Sequence, residues 1–157
     1  QKRHGLGGST FSILKFRTLF AHRCDDTGTA QTTADDDRVT PIGRFLRRTN
    51  LDELPQLLNV LAGDMSLVGP RPHPIGMLAA GRPYEEHVPY YRCRLAMRPG
   101  ITGLAQCQGL RGPTDDPHAA TMRIQNDLAY IQNFSLLLDL RIVIRTLARE
   151  ALGGTGV

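Results

Sequence analysis

Within residues 49–72 (TNLDELPQLLNVLAGDMSLVGPRP) two carboxylates, Asp52 and Glu53, stand side by side at the mouth of an apolar run. Downstream, one arginine, Arg71, sits between Pro70 and Pro72. A carboxylate can attack phosphorus or hold a divalent metal, and a guanidinium grips phosphate oxygens through its planar fork, so the set suits phosphoryl chemistry. The flanking prolines remove backbone freedom, which lowers the entropy lost when Arg71 closes on an anion. Arg47 lies just ahead of Asp52 and could share that pocket or be a plain solvated charge. Arg92, Arg94, Arg98 and Arg111 crowd the 92–111 region and could line a diphosphate site. The acids also have an ordinary structural account. Asn50 with Glu53 three residues on is a capping-box-like pattern, and first-turn acids offset the helix dipole by about 0.3–1 kcal/mol. Pro55 complicates that account, because it lies too deep for a regular ladder if Asn50 is the cap. The helix must then be kinked or begin nearer Asp52.

The elements that hold these groups follow from pattern and punctuation. Residues 1–20 read as a hairpin, with Gly5, Gly7 and Gly8 at the turn and FSILKFRTLF as the returning strand. Residues 21–37 are polar and aperiodic, a loop ending in Asp35, Asp36 and Asp37. Those three acids lack the spacing of a calcium loop and read as a solvated patch. Thr40-Pro41 opens a short helix carrying Arg44, Arg47 and Arg48. Leu51, Leu54, Leu57, Leu58 and Leu61 then form a helical stripe expected to face the core, and Gly63-Asp64 ends it. MSLV reads as a short buried segment and GPRP as a rigid loop. Residues 73–97 are expected to be helical but broken by Pro74, Pro83 and Pro89. Arg98-Pro99-Gly100 suits a type II turn, ITGLAQCQG a strand weakened by its glycine, and RGPTDDP a loop. Helices are expected from His118 to about Asn133 and from Asp139 to Leu152, the second closed by Gly153-Gly154. On that last helix Arg141, Arg145 and Arg149 fall on one face, and Leu140, Val143, Ile144 and Leu147 on another. Such a helix lies on an anionic membrane or packs on a core, and this window alone favours packing.

Composition bounds the function classes. The chain has 157 residues, enough for one domain with a real core, and its 41% hydrophobic and 22% charged content are ordinary for a folded domain. Net charge is +4, and the cations are arginines except for Lys2 and Lys15. Arginine excess points to phosphate or carboxylate partners, or to nothing beyond codon usage in a GC-rich genome. A nucleic-acid-binding module is the rival reading. Aromatics make up 6% and do not interleave with the arginines, and no groove-reading motif occurs. Cys24, Cys93 and Cys107 show neither metal-ligand nor disulfide-framework spacing, which fits free thiols in a reducing, cytoplasmic setting. No apolar run is long enough to span a bilayer. The chain opens on Gln1, without an initiator Met, in what reads as mid-strand, so a preceding segment is expected.

Four runs together resemble the bacterial sugar transferases, the monotopic polyprenyl-phosphate phosphoglycosyl transferases: KFRTL (15–19), RVTPIGRFLRRTNLDELPQLLNVLAGDMSLVGPRP (38–72), RPGITGLAQ (98–106) and DLAYIQNFSLLLDLRIVIRTL (127–147). The resemblance implies a sugar phosphate passed from a UDP-sugar to undecaprenyl phosphate, with release of UMP. It implies Asp52 as the nucleophile that carries a covalent phosphosugar and as a magnesium contact, with Glu53 as its dyad partner. Arg71 is implied to hold phosphate with Arg47 assisting, while Arg98 and Arg111 stay as candidate phosphate contacts. It also implies an apolar re-entrant helix ahead of the hairpin, which these 157 residues do not include. Where many relatives have Trp and Val-Asn-Gly-Arg after RPGITG, this chain has Leu104 and Cys107-Gln108-Gly109-Leu110. The expectation is a single α+β domain over 1–157, mostly helical with a small N-terminal hairpin. It would lie at the cytoplasmic face of the bacterial inner membrane with Mg2+, begin exopolysaccharide or related glycan assembly, and leave self-association open.

Overall fold

The computed structural model describes residues 1–23 and 36–151, with side chains through Arg149. The order is β1 (Lys2–His4), β2 (Thr10–Ser12), α1 (Pro41–Arg48), α2 (Gln56–Leu61), β3 (Ser66–Val68), β4 (Leu78–Ala79), β5 (Arg82–Pro83), α3 (Tyr84–His87), β6 (Gly100–Thr102), α4 (Leu104–Cys107), α5 (Pro117–Gln132) and α6 (Leu136–Ala151). Helix predominates and the strands form small pairs, an α+β arrangement. Strand β1 pairs antiparallel with β2 in the register Arg3↔Phe11, β3 pairs parallel with β6, and β4 with β5 antiparallel.

Local chemistry accounts for the helix starts. Thr40 accepts a hydrogen bond from the Gly43 N–H at 2.9 Å, and Pro41 occupies the first position of α1. Asp116 caps α5 through the His118 N–H at 2.9 Å, again followed by proline. Three buried clusters make the core. One joins Tyr84, Val88 and Tyr91 to Ala120 and Ile124 of α5; a second sets Phe11 and Ile13 against Met65; a third sets Val68 and Tyr130 against Ile142 of α6.

Several expectations need correction. The leucine stripe does not face the core: Leu54, Leu57, Leu58 and Leu61 are exposed, Leu61 at 83%. A 3-10 turn at Leu51–Glu53 and the proline at 55 break the 3.6-residue phase, so α2 is only six residues long and turns Gln56 and Asn59 inward. Asn59 is a polar tie to the hairpin, accepting from Leu14 N at 2.9 Å and donating to the Ser12 carbonyl at 2.9 Å. Within the MSLV segment β3 begins at Ser66; Met65, just ahead of it, and Val68 are buried and Leu67 is exposed. Residues 73–97 hold one helical turn and a 3-10 stretch at Tyr91–Ala96 beside β4 and β5, because the prolines deny a longer ladder. Gly100 does not adopt the left-handed φ of a type II turn. It belongs to β6 and lies so close to Gly69 that a Cβ would overlap the Gly69 backbone. The strand expected over ITGLAQCQG ends at Thr102 and gives way to α4.

The returning strand of the hairpin is likewise shorter than expected, closing at Ser12, after which Leu19 forms a bridge to Val39. Asp36 pairs with Arg38 at 2.6 Å and is shielded from solvent, so the solvated-patch reading fails there; Asp37 pairs with Arg23 at 2.8 Å and stays exposed, and Asp35 falls outside the described residues. Helix α6 starts at Leu136, and its proposed closure at Gly153-Gly154 lies outside the described residues. Its core contact is Ile142, with Val143 half-buried, whereas Leu140, Ile144 and Leu147 are exposed, so the packed-face reading of that stripe fails for three of its four residues.

The corrected core gives a direct contrast. Leu61→Ser should change unfolding free energy by less than about 0.5 kcal/mol. Ile124→Ala, at a fully buried position, should cost about 2–5 kcal/mol. Denaturant titration of both variants checks this, and equal losses would return the leucine stripe to the core.

Candidate active site

Three segments distant in sequence meet at the carboxylate pair. Asn50 adopts a left-handed conformation (φ 53) without capping through its side chain, so the capping-box account of Glu53 does not hold. That turn aims Asp52 and Glu53 at the strand-like segment after β2, where the Asp52 carbonyl accepts the Phe16 N–H at 2.9 Å. The register of this contact brings in Lys15, whose Nζ stands 2.6 Å from Glu53 Oε1. From the third side comes the Pro-Arg-Pro loop. Arg71 Nη2 donates to Glu53 Oε1 at 2.6 Å and Nη1 to Oε2 at 3.3 Å, a two-pronged clamp. Glu53 is thus held between a lysine and an arginine, both partly open to solvent at 29% and 38% side-chain exposure.

The two neighbouring acids are driven apart in proton affinity. Asp52 is buried, at 8% exposure, and that burial raises its pKa above 3.8, with Glu53 adding repulsion and Lys15, Arg47 and Arg71 opposing. Among the described residues no hydrogen bond to the Asp52 carboxylate contributes. Burial would raise Glu53 too, but Arg71 and Lys15 outweigh it and hold that carboxyl far below the usual carboxylate range. In return Glu53 raises Arg71, while burial lowers Lys15 against the pull of Glu53. One acid is therefore a fixed counter-ion, and the other is a buried carboxyl of raised proton affinity on which Lys15, Arg47 and Arg71 act.

Arg47 donates through Nε to the Thr18 hydroxyl at 2.8 Å, which stations it close enough for its charge to act on Asp52. Neither Arg98 nor Arg111 is among the main influences on the charge of either acid. Arg98 is exposed next to β6, and Arg111 is half-buried after α4. Arg92 is exposed and reaches Glu85 at 3.7 Å, while Arg94 is buried against Asp127 of α5.

Lys15 and Arg3 join the site without having been singled out from sequence. Lys15 had a faint signal as one of only two lysines in an arginine-rich chain. Arg3, on β1, had none. Its guanidinium is buried at 8% exposure, donates to Gln1 at 2.6 Å, and has its pKa lowered to about 10 by burial and by Arg71. Among the described residues no group of three or more His, Cys, Asp or Glu could hold a metal by itself. A divalent ion at Asp52 would thus take most of its shell from oxygens outside the chain and from water, the habit of magnesium.

Comparison with known proteins gives this geometry a context. The bacterial sugar transferase profile matches residues 1–152. The chain is 55% identical over 156 residues to an exopolysaccharide production protein of Rhizobium leguminosarum bv. phaseoli, covering 99% of this chain and 78% of that protein. It is 53% identical over 146 residues to a UDP-glucose:undecaprenyl-phosphate glucose-1-phosphate transferase of Caulobacter vibrioides, covering 93% of this chain and 53% of that protein. A transferase of the same description from Escherichia coli is 44% identical over 146 residues, covering 93% of this chain and 31% of its own length. The chain thus spans about half or less of the two transferases and most of the Rhizobium protein. With the profile covering nearly every residue, including the carboxylate pair and the Pro-Arg-Pro loop, this chain belongs to the bacterial sugar transferase family.

Proposed function

We propose that this chain is the catalytic domain of a phosphoglycosyl transferase that moves a sugar 1-phosphate from a UDP-sugar to undecaprenyl phosphate and releases UMP. The observation that carries the reading is the convergence of a buried carboxylate of raised proton affinity, a clamped carboxylate, a lysine and a proline-braced arginine. The transfer proceeds in two displacements. An Asp52 oxygen attacks the β-phosphorus of the donor. The bond from that phosphorus to the bridging oxygen breaks, and UMP leaves with the electron pair. An oxygen of undecaprenyl phosphate then attacks the same phosphorus, restoring the Asp52 carboxylate and yielding the sugar on undecaprenyl diphosphate. Splitting the reaction lets the water-soluble donor leave before the lipid acceptor arrives.

Positioning and charge neutralisation do most of the work in such transfers. Arg71 holds phosphate oxygens with the donors that Glu53 leaves free, Arg47 assists, and Lys15 favours the ionised state of Asp52. Magnesium at Asp52 would offset diphosphate charge when bound. Arg98 and Arg111 remain candidate contacts for the outer parts of the donor.

An apolar surface borders the site and supports a place on a lipid surface. Phe16 follows Lys15, and Leu54 follows Glu53, exposed at 52% and 50%. Leu57, Leu58 and Leu61 extend this surface along α2. Along α6, Leu136, Leu140, Ile144 and Leu147 are exposed with Arg141 and Arg145 on the same helix. Among the described residues no helix is long and apolar enough to cross a membrane. Docking of these faces on the cytoplasmic side of the inner membrane would present Asp52 to the acceptor phosphate, as the first step of exopolysaccharide or related glycan assembly.

Three outcomes follow for the full-length protein. Asp52→Asn should abolish UMP release from a UDP-sugar; normal turnover in that variant removes the nucleophile assignment. Because Asp52 must be ionised and its pKa is raised, kcat/KM should climb with pH through a value above 3.8, with Glu53 adding no limb there. A pH–rate series that shows the acid limb at or below 3.8 would contradict the burial argument. Leu61→Glu should weaken co-sedimentation with anionic phospholipid vesicles several-fold, and unchanged sedimentation would take α2 off the lipid surface.

A further inference from the structure

The Pro-Arg-Pro loop cannot hold itself. Pro70 and Pro72 have no N–H to donate, so the loop keeps its shape through what its carbonyls accept from other elements. Gly100 N–H of β6 donates to the Pro70 carbonyl at 2.9 Å, and His4 N–H of β1 donates to the His73 carbonyl at 3.3 Å. Between them the Arg71 carbonyl accepts from a side chain, Arg94 Nη2, at 2.5 Å. Two of the three pins are backbone, and the one at Arg71 itself is a charged guanidinium.

That guanidinium is itself immobilised. Arg94 Nε lies 2.9 Å and Nη2 2.7 Å from Asp127 Oδ2, and both side chains are only 2% exposed. The Tyr91 ring lies beneath, with its centroid 5.4 Å from the Arg94 Cζ, and Tyr91 in turn meets His73 Nδ1 through its hydroxyl at 3.2 Å. Asp127 sits on α5, a sixteen-residue helix anchored in the core by Ile124 and Tyr130. A buried pair like this is weak evidence for stability, because desolvation of both charges offsets their attraction, and apolar residues of similar volume often serve as well. Its geometry has a more specific consequence. The Arg71 carbonyl is held by Arg94 while the Arg71 side chain is held by Glu53, so the backbone and the guanidinium of this residue are pinned together.

We infer that Arg94, braced by Asp127, is a positioning residue for the transfer: it sets the orientation of the Arg71 guanidinium and touches no substrate itself. This rests on the phosphate-binding role proposed for Arg71. A displacement of a positioned group by about 1 Å costs on the order of 100-fold in rate. Lysine at position 94 keeps the charge but cannot serve Asp127 and the Arg71 carbonyl with the same fork.

The test is a double-mutant cycle on kcat for UMP release by the full-length protein, with thermal melting of each variant alongside. Arg94→Lys should lower kcat by about 10- to 100-fold in the parent. In an Arg71→Ala background the same substitution should change kcat less than about threefold, because nothing remains to be positioned. An equal fold-loss in both backgrounds, or undiminished kcat in the parent, overturns the inference. Should Arg94→Lys fail to fold, Asp127→Asn carries the same comparison with the Arg94 donors retained. Full turnover by Arg71→Ala alone is a separate result, which refutes the role of Arg71 and removes what Arg94 would position.

Discussion

Glu53 gripped by Lys15 and Arg71 is the contact on which the site depends. Each partner arrives from a different part of the fold: Lys15 from the segment after the hairpin, Glu53 from the 3-10 turn before α2, Arg71 from the loop after β3. Without the carboxylate, two cations would face each other across a few ångströms, and repulsion would open the site. With it they stay in place, and the neighbouring Asp52 is left buried with its proton affinity raised. Adjacent acids thus acquire opposite electrostatic characters from their surroundings, the condition under which one can react while the other organises.

The scaffold around this contact is built for precision at a few backbone atoms. The parallel β3–β6 pair draws Gly69 and Gly100 so close that neither tolerates a Cβ, and it delivers the Pro-Arg-Pro loop at its end. Asn59 ties α2 to the hairpin through two backbone groups, which sets the distance between the acid turn and Lys15. Buried polar groups, not leucines, make these joints. Polar joints have narrow geometric tolerance, whereas an apolar contact of similar area can slide. The leucines released from core duty appear on the surface beside the site.

Legibility of the chain varied with how local the determining physics was. Helix α1 was readable because a capping side chain followed by proline is a local signal, whereas the same signal at Asp116-Pro117 falls inside the stretch read as a loop, so the reading starts α5 one residue late, at His118. The leucine stripe misled because it was read with one continuous period, and the 3-10 turn with Pro55 resets that phase. Gly100 misled for a related reason, since turn chemistry explains a glycine by its φ and this one answers to a neighbouring backbone. Of the site, Asp52, Glu53 and Arg71 could be picked out by type and flanking prolines. Lys15 left only a faint trace, and Arg3 and the Arg94–Asp127 pairing none, because their significance lies in what they face.

By itself, then, the sequence marked out the candidate site residues, the family, and those elements whose ends are set by neighbours in the chain. Tertiary structure decided which acid is clamped and which has its proton affinity raised, since burial and charge are sums over segments far apart in the chain. It decided equally that the apolar face of α2 looks outward and that a buried arginine holds the loop of Arg71. Those are facts of direction and distance, and residue types in a line specify them only once the chain has closed on itself.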